Sequence, residues 1–377
     1  MKTEQCRWTA LNGWNSSPAA GADADLVLLF GGRSFFADKT VIDELIKVYP
    51  EAFILGCSTA GEIHGTEVTD ETLVSTAISF ASSCCMISCI HIGDAGSSLE
   101  AGQRLAQMLE HDGLVHVFVL SNGLNVNGSD LTRGLTSCLP AGVSVTGGLA
   151  GDADRFTETY VICGSEVGGD IIGVVGFYGE NLHIGFGCLG GWDPFGPERL
   201  ITSSEGNVLF GLDGISALEL YKKYLGDYAS ELPASAMFFP LAIRIPDGPA
   251  GLVRTILGVD EEESSMTFAG DLPEGAYARF MRANHDRLID GAIGAASASL
   301  KGLEGRDAEL ALLISCVGRK MVLKQRVEEE VEGVRDILGS RSTITGFYSY
   351  GEISPLMESS RAELHNQTMT ITTFSED

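Results

Sequence analysis

Two glycine-rich segments near opposite ends of the chain carry residues that could bind a ligand. Gly56–Ile63 and Gly346–Ile353 share the spacing G-x-x-x-x-G-E-I, and each follows an apolar stretch. A glycine just after a strand permits a turn with positive φ and leaves N–H groups free at the strand end, where α/β sheets hold ligands. Glu62 and Glu352 could pair with an amine or another cation at these turns. The two segments therefore predict binding chemistry.

A Gly-Arg pair precedes each glycine-rich segment at a similar distance, as Gly32-Arg33 and Gly318-Arg319. A guanidinium group can bind a carboxylate through two parallel hydrogen bonds. Because an amino acid carries both an amine and a carboxylate, a glutamate and an arginine at one strand end would suit it. The alternative is that these charged side chains pair with each other or with the backbone and only stabilise the turns.

A run of polar residues precedes the last apolar stretch of the chain. His365, Asn366, Gln367 and Thr368 each donate and accept hydrogen bonds, and such a run is costly to bury unless its groups are paired. They line a small polar pocket or form a loop braced by its own side chains, and both interpretations stay open. The complete candidate ligand-binding set is Cys57, Ser58, Glu62, Arg319, Tyr348, Ser349, Glu352, His365, Asn366, Gln367 and Thr368.

The surrounding patterns predict a mixed α/β (α+β) fold of two domains, with mixed sheets and packed helices. Residues 26–80 and 310–374 both run strand, helix, strand, glycine-rich segment, strand, which indicates a duplicated βαββ module. We expect a lead-in segment at 1–24, one domain at 25–215 and a second at 216–377.

Charge and composition exclude several classes of function. The chain has 51 acidic and 25 basic residues, and its net charge of −26 disfavours nucleic acid and anionic membrane surfaces. Its apolar runs are far shorter than a membrane span of about 20 residues. The start of the chain shows no export signal, and the nine cysteines form an odd set, which favours a reducing cytoplasm.

The sequence contains no complete catalytic or metal-binding motif of the common kinds, which gives little support to an enzyme. Gly185–Gly190 fits G-x-G-x-x-G, but Trp192-Asp193-Pro194 follows where a dinucleotide fold needs a helix. The seven histidines show no metal-ligand spacing. Cys57, near His64, is the one candidate nucleophile. We therefore expect no catalytic residue and no metal, with a Cys57-dependent enzyme as a minor alternative.

Several motifs resemble the FIST sensory domain proteins, in both their amino-terminal and carboxy-terminal parts. The motifs are residues 54–63 and 146–152 in the first part, and residues 212–221, 315–319, 346–353 and 364–368 in the second. The resemblance implies a bacterial or archaeal intracellular sensor, without enzymatic activity, that binds an amino acid or related small metabolite and signals to a partner such as a histidine kinase. A homodimer is compatible with this function.

One branch of FIST-like proteins binds haem and senses nitric oxide, so a haem-binding sensor that regulates a histidine kinase is the alternative. Haem needs only one axial His or Cys in an apolar pocket, and motif spacing therefore does not exclude it. The sequence does not indicate which residue would be that ligand, and we expect no cofactor in the leading interpretation.

Overall fold

The computed structural model describes residues 1–16, 18, 23–246, 251–357 and 360–377. Within these residues, the chain forms three repeats of similar topology, each built on its own mixed sheet, and a fourth sheet lies in a segment inserted into the third repeat. We call residues 193–282 the inserted unit. The mixed α/β class expected from the sequence is confirmed.

The first repeat shows how an apolar strand and an amphipathic helix assemble. The strand at Leu26–Gly31 is entirely buried, and Ile42 and Leu45 form the buried face of the adjoining helix. Its elements are β1 Lys2–Thr9, β2 Gly13–Trp14, β3 Leu26–Gly31, α1 Arg33–Ala37, α2 Thr40–Val48, β4 Phe53–Ser58, β5 Glu62–His64, β6 Glu67–Thr69 and β7 Leu73–Ser79.

The lead-in expected at residues 1–24 contains a structured strand. Strand β1 pairs antiparallel with β7 over its length, a contact across some 70 residues that local sequence patterns do not reveal. Residues 17 and 19–22 of this segment lie outside the described residues.

The second repeat adds a helix before its first parallel strand. Ser97 and Asn127 cap its two helices by accepting hydrogen bonds from backbone N–H groups, and Gly102 and Gly134 allow the helices to approach closely. Its elements are β8 Cys84–His91, a 3-10 turn at Ile92–Asp94, α3 Ser98–Met108, β9 Leu114–Ser121, α4 Gly128–Cys138, β10 Ser144–Leu149, β11 Val161–Cys163, β12 Glu166–Gly168 and β13 Ile171–Tyr178.

The third repeat is interrupted by the inserted unit, which has an apolar core of its own. After β14 Leu182–Leu189 come the inserted elements β15 Asp193–Pro194, β16 Arg199–Glu205, β17 Val208–Leu212, β18 Ile215–Ser216, α5 Ala217–Leu225, 3-10 turns at Gly226–Glu231 and Ala234–Phe238, β19 Leu241–Arg244, β20 Leu252–Arg254, β21 Ile256–Asp260, β22 Ser265–Phe268 and β23 Tyr277–Arg282.

The chain then returns to the third repeat and completes its sheet. The remaining elements are α6 His285–Ser299, a 3-10 turn at Leu300–Leu303, β24 Leu310–Cys316, α7 Val317–Leu323, a 3-10 turn at Lys324–Arg326, α8 Val327–Leu338, β25 Thr343–Ser349, β26 Gly351–Pro355, β27 Ala362–His365 and β28 Met369–Glu376.

The repeats exchange strands in a closed cycle. Each has two parallel central strands, β3 with β4, β9 with β10, and β24 with β25. The hairpin after each pair joins another repeat, since β5 pairs with β25, β26 with β10, and β11 with β4. Equivalent positions in the three registers are Gly56 opposite Ile162, Gly147 opposite Ile353, and Gly346 opposite Ile63.

The three sheets surround a shared apolar core, with helices on their outer faces. Phe30, Phe118 and Phe347, one from each sheet, lie in this core, and the Phe30 and Phe347 rings stack with centroids 4.8 Å apart. Because strands before and after residue 215 pair with one another, as β14 does with β28, the core is built jointly by both halves of the chain.

Candidate functional site

The two predicted glutamates occupy equivalent positions and have nearly the same hydrogen bonds. The Thr72 backbone N–H and hydroxyl donate to Glu62 Oε2 at 3.0 and 2.8 Å, while the Thr59 hydroxyl donates to Oε1. In the third repeat, Thr368 donates in the same way to Glu352 Oε2 at 3.1 and 2.9 Å, and Ser349 donates to Oε1 at 2.8 Å. We call each such set a carboxyl clasp.

Both clasps are fully enclosed, which changes the protonation of their acids. Burial raises the pKa of Glu62 to about 7 and that of Glu352 to about 8, although the clasp hydrogen bonds act in the opposite direction. Their carboxyl oxygens are already engaged by the protein, so each glutamate fixes the strand entry that follows its glycine turn.

Arg319 belongs to a buried ionic network rather than to an open surface. Its Nε and Nη2 donate to Glu330 Oε2 at 3.1 and 2.6 Å, and Nη2 also donates to the Leu288 carbonyl at 2.8 Å. The hydroxyls of Tyr348 and Ser315 donate to Glu330 Oε1 at 2.6 and 3.1 Å. The Arg319–Glu330 pair therefore meets the bonding needs of both charges inside the protein.

Glu330 is a site residue that the sequence analysis missed. It lies on α8 and shares a buried face with Val331, Val334 and Leu338. A single glutamate on the apolar face of an otherwise charged helix was the available signal, because such a residue needs a buried partner.

The polar run at 365–368 is buried and only partly paired. His365 Nε2 donates to the Ser354 carbonyl at 2.8 Å, which leaves Nδ1 as an acceptor in the neutral ring, and burial lowers the pKa of His365 to about 4. His365 Nδ1, Gln367 Oε1 and both amide atoms of Asn366 have no hydrogen-bond partner among the described residues. We call His365, Asn366 and Gln367 the polar segment.

The inserted unit and the adjacent Trp192 contact this polar segment and the residue before it. The Trp192 indole N–H donates to the Gln367 carbonyl at 2.8 Å, and Arg254 Nη1 donates to the Leu364 carbonyl at 2.9 Å. The Gln367 amide nitrogen lies 3.6 Å from the sulfur of Met237. Among the candidate residues of the third repeat, Gln367 thus contacts both Trp192 and the inserted unit.

Two candidates of the first repeat, Cys57 and Ser58, lie at the end of β4, whereas Glu62 on β5 is opposite Phe347 of β25, next to Tyr348. The Cys57 thiol is buried, and burial raises its pKa well above the ordinary value, which disfavours the thiolate. The Ser58 hydroxyl accepts the Tyr160 backbone N–H at 2.9 Å. Arg33, which precedes them, pairs with Asp152 at 3.2 Å rather than with Glu62.

The second repeat replaces the carboxyl clasp with an apolar contact. The strand registers place Val161 where the other repeats have Glu62 and Glu352, and Ile171 where they have Thr72 and Thr368. Both side chains are buried in the shared core. The sequence analysis missed this third copy because its motif residues are absent.

The buried and cavity-lining histidines do not offer a fitting axial ligand for haem. Both ring nitrogens of the buried His116 are engaged, Nδ1 with Ser144 at 2.7 Å and Nε2 with Thr146 at 2.9 Å. His183 lines an open cavity of about 800 Å³, but its Nε2 bonds to Asp377 at 3.0 Å. His365 lies among the unpaired amides of the polar segment rather than in the apolar surroundings that haem needs.

Among the described residues, the longest helix is α6, with 15 residues. Across this part of the chain, no helix is long and apolar enough to cross a membrane.

Comparison with known proteins places this arrangement in a sensory class. A FIST N domain model matches residues 25–215, and a FIST C domain model matches residues 217–355. The chain therefore belongs to the FIST family. FIST domains are sensory domains of signal-transduction proteins and sense small ligands.

Two individual proteins show more distant similarity. An uncharacterized protein of Methanocaldococcus jannaschii is 27% identical over 222 residues, which cover 56% of this chain and 41% of that protein. The chain thus aligns with less than half the length of this curated relative. The match to a solved structure of a cyanuric acid hydrolase from A. caulinodans covers 78% of this chain and 99% of that chain, at 11% sequence identity and a TM-score of 0.19.

Proposed function

We propose that this protein is a cytoplasmic sensor that binds an amino acid or a related small metabolite at the polar segment. The observation that carries the proposal is the set of buried, unpartnered polar atoms on His365, Asn366 and Gln367. A buried polar group without a partner costs about 1–3 kcal/mol, so a ligand that pairs with several of them gains affinity. Membership of the FIST family supports the same class of function.

The unpartnered atoms suit the two charged groups of an amino acid. His365 Nδ1, Asn366 Oδ1 and Gln367 Oε1 are acceptors, which match the donors of an ammonium group. Asn366 Nδ2 is a donor, which matches a carboxylate. Recognition in this scheme uses neutral side chains, because Arg319 and Glu352 are engaged elsewhere. This differs from the guanidinium and carboxylate recognition expected from the sequence.

Signalling in this proposal depends on the inserted unit. The unit contacts Gln367 of the polar segment through Met237 and the preceding residue, Leu364, through Arg254, so a ligand bound there would alter contacts between the unit and the three sheets. A partner protein such as a histidine kinase would read that change. The free cysteines, several of them buried, suit the reducing cytoplasm proposed for the sensor.

The test combines native mass spectrometry with a thermal-shift screen of amino acids and organic acids. A ligand at about 100 times its Kd should stabilise the protein by about 2.7 kcal/mol. Asn366→Leu removes amide atoms that bond to no described residue, so we expect it to abolish the shift while the ligand-free melting temperature is kept or raised. Asn181→Ala, on the exposed surface, is the matched control and should keep the shift.

Three results would contradict the proposal. One is the absence of both a retained small molecule and any thermal shift in the natural protein. Another is a shift that survives in Asn366→Leu, because the ligand would then bind elsewhere. The third is loss of the shift in Asn181→Ala as well as in Asn366→Leu, since the effect would not be specific to the polar segment.

A further inference from the structure

We propose a second ligand site, for a small molecule that carries an amino group on an aromatic framework. It is a cavity of about 410 Å³ between the second repeat and the inserted unit, which we call the inter-unit cleft. Its lining includes Leu124, Asn127, Phe156, Leu257, Asp271 and Tyr350. The volume lies within the usual range of about 300–1,000 Å³ for small-molecule sites.

The apolar part of the cleft has three partly exposed side chains, one of them an aromatic ring on which a flat ligand could stack. Phe156, Leu124 and Leu257 are 40, 38 and 50% exposed, and all three line this one cavity. The Phe156 ring stacks on Tyr350 with centroids 4.3 Å apart and an interplanar angle of 17°. One face of Phe156 is therefore covered by Tyr350, and a second ring can stack on the other face.

The backbone at Phe156 holds the ring in place at an energetic cost. Its φ is +51°, a left-handed conformation that is unusual for a bulky residue. The strained N–H donates to the Tyr350 hydroxyl at 3.2 Å, and the same hydroxyl donates to Asp152. Strain of this kind persists where surrounding contacts impose it and is concentrated at functional sites.

The polar part of the cleft provides an acceptor for a cationic or neutral amine. Asn127 Nδ2 donates to Asp271 Oδ1 at 3.3 Å, and Asp271 Oδ2 has no hydrogen-bond partner among the described residues. Arg254 Nε donates to the Asp271 carbonyl at 3.1 Å, which fixes this loop. The net charge of −26 further favours an amine over an anionic aromatic molecule.

The position of the cleft in the fold also favours a ligand. It lies beyond the carboxyl ends of β9 and β10, where α/β sheets hold ligands. At the equivalent ends in the other repeats, the Glu71 side chain lies against Gly32 and the Gln367 side chain against Gly318. In the second repeat the Tyr350 side chain lies against Gly123 instead, and both residues line the cleft.

Tyramine is the probe for the test, and titration calorimetry is the measurement. We expect saturable binding of tyramine to the natural protein and at least a tenfold weaker Kd for Phe156→Asn and for Asp271→Asn. Asparagine tolerates a left-handed φ, so Phe156→Asn should fold with a melting temperature within about 2 °C of the natural protein. The analogue 2-cyclohexylethylamine tests the ring, and 4-hydroxyphenylacetate tests the amine; both should bind at least tenfold more weakly than tyramine.

The Asn366→Leu variant separates this inference from the proposed function. We expect it to bind tyramine with unchanged Kd, because the polar segment does not line the cleft. Loss of tyramine binding in Asn366→Leu alone would overturn the cleft and support the polar segment. Failure of the natural protein to bind tyramine, or equal binding of either analogue, would overturn the cleft without affecting the amino-acid screen.

Discussion

The first and third repeats differ from the second at two neighbouring buried positions, and the difference shows two ways to stabilise the same strand entry. In the first repeat Glu62 accepts hydrogen bonds from Thr72, and in the third Glu352 accepts the same bonds from Thr368. The second repeat has Val161 and Ile171 in their place, both in the shared core. Acid and threonine are replaced together, because either alone would leave a buried polar group unpaired.

The second repeat also differs in the length of its turn. Seven residues separate Gly56 from Ile63 and Gly346 from Ile353, whereas fifteen separate Gly147 from Ile162, so the second repeat has eight more. The longer turn carries Phe156, whose ring reaches the inter-unit cleft. The repeat without a clasp is therefore the repeat whose long turn lines the inter-unit cleft.

The largest effect is expected from placing an acid in the second repeat without its partner. Val161→Glu would bury a carboxyl beside Ile171 and should lower the free energy of unfolding by about 4 kcal/mol or more. Adding Ile171→Thr supplies the threonine hydroxyl of a clasp and should recover at least about 1 kcal/mol. Urea denaturation of the single and double variants measures both values.

Val161→Met is the control for this pair, because methionine has a similar size to glutamate without its charge. It should cost about 1–2 kcal/mol, and Ile171→Thr should not rescue it. The proposal would be contradicted if Val161→Met and Val161→Glu destabilised the protein equally, or if Ile171→Thr did not rescue Val161→Glu. Either result would show that a clasp cannot replace the apolar pair of the second repeat.

A second, smaller effect tests whether the three repeats have the same backbone geometry. A Cβ at Gly56, Gly147 or Gly346 would clash with a carbonyl oxygen of the adjacent parallel strand. Alanine at any of them should therefore cost about 3 kcal/mol. Gly258→Ala, where a Cβ meets open space, is the control and should change stability by less than about 1 kcal/mol. Thermal denaturation measures these losses. If one of the three glycines tolerated alanine, the three repeats would not share the same backbone geometry at this position.

The pH dependence of stability should separate the clasped repeats from the apolar one. The folded pKa values of Glu62 and Glu352 lie at about 7 and 8, above the ordinary value of 4.5. The folded state therefore binds more protons between about pH 4.5 and 8, and this contribution to stability falls as pH rises through that window.

Glu62→Gln combined with Glu352→Gln should remove this contribution. Relative to the natural protein, the double variant should gain stability steadily as pH rises from about 5 to 8 and gain no more above that range, as measured by urea denaturation. Glu180→Gln, on an exposed residue, should show no such gain. Parallel pH profiles for the natural protein and the double variant would contradict the raised pKa values.

The sequence predicts the clasped repeats better than the apolar one for a physical reason. The G-x-x-x-x-G-E-I spacing is kept where Glu62 and Glu352 need both a tight turn and a carboxyl. The second repeat lacks that spacing, because its turn is eight residues longer and Val161 replaces the glutamate. Gly147 still packs closely against the neighbouring strand, as Gly56 and Gly346 do. Strand pairing, which identifies the third copy, depends on contacts between distant residues.

Residue types alone predict ligand-binding roles for Arg319 and Glu352, because the side chains that pair with them in the folded protein lie further along the sequence. Arg319 lies 11 residues from Glu330, and Glu352 lies 16 from Thr368. Residue types and spacing identify groups that can bind charge, but they do not show whether the protein already supplies the opposite group. The sequence indicates the polar run at 365–368 because buried polar side chains need partners in any fold, and its role in ligand binding stays a prediction.

The smallest effect concerns Asp152, the acid of the longer turn. Burial acts to raise the pKa of Asp152, but hydrogen bonds from Tyr350, Thr157 and Glu158 lower it overall. Arg33 adds a half-exposed ion pair at 3.2 Å, so Arg33→Gln should cost less than about 1 kcal/mol, and the loss should shrink in high salt. Tyr350→Phe, which removes a buried donor, should cost about 1–2 kcal/mol at any salt concentration. Urea denaturation at low and high ionic strength measures both, and a larger loss for Arg33→Gln would show that the ion pair, rather than the tyrosine, holds the turn of the second repeat.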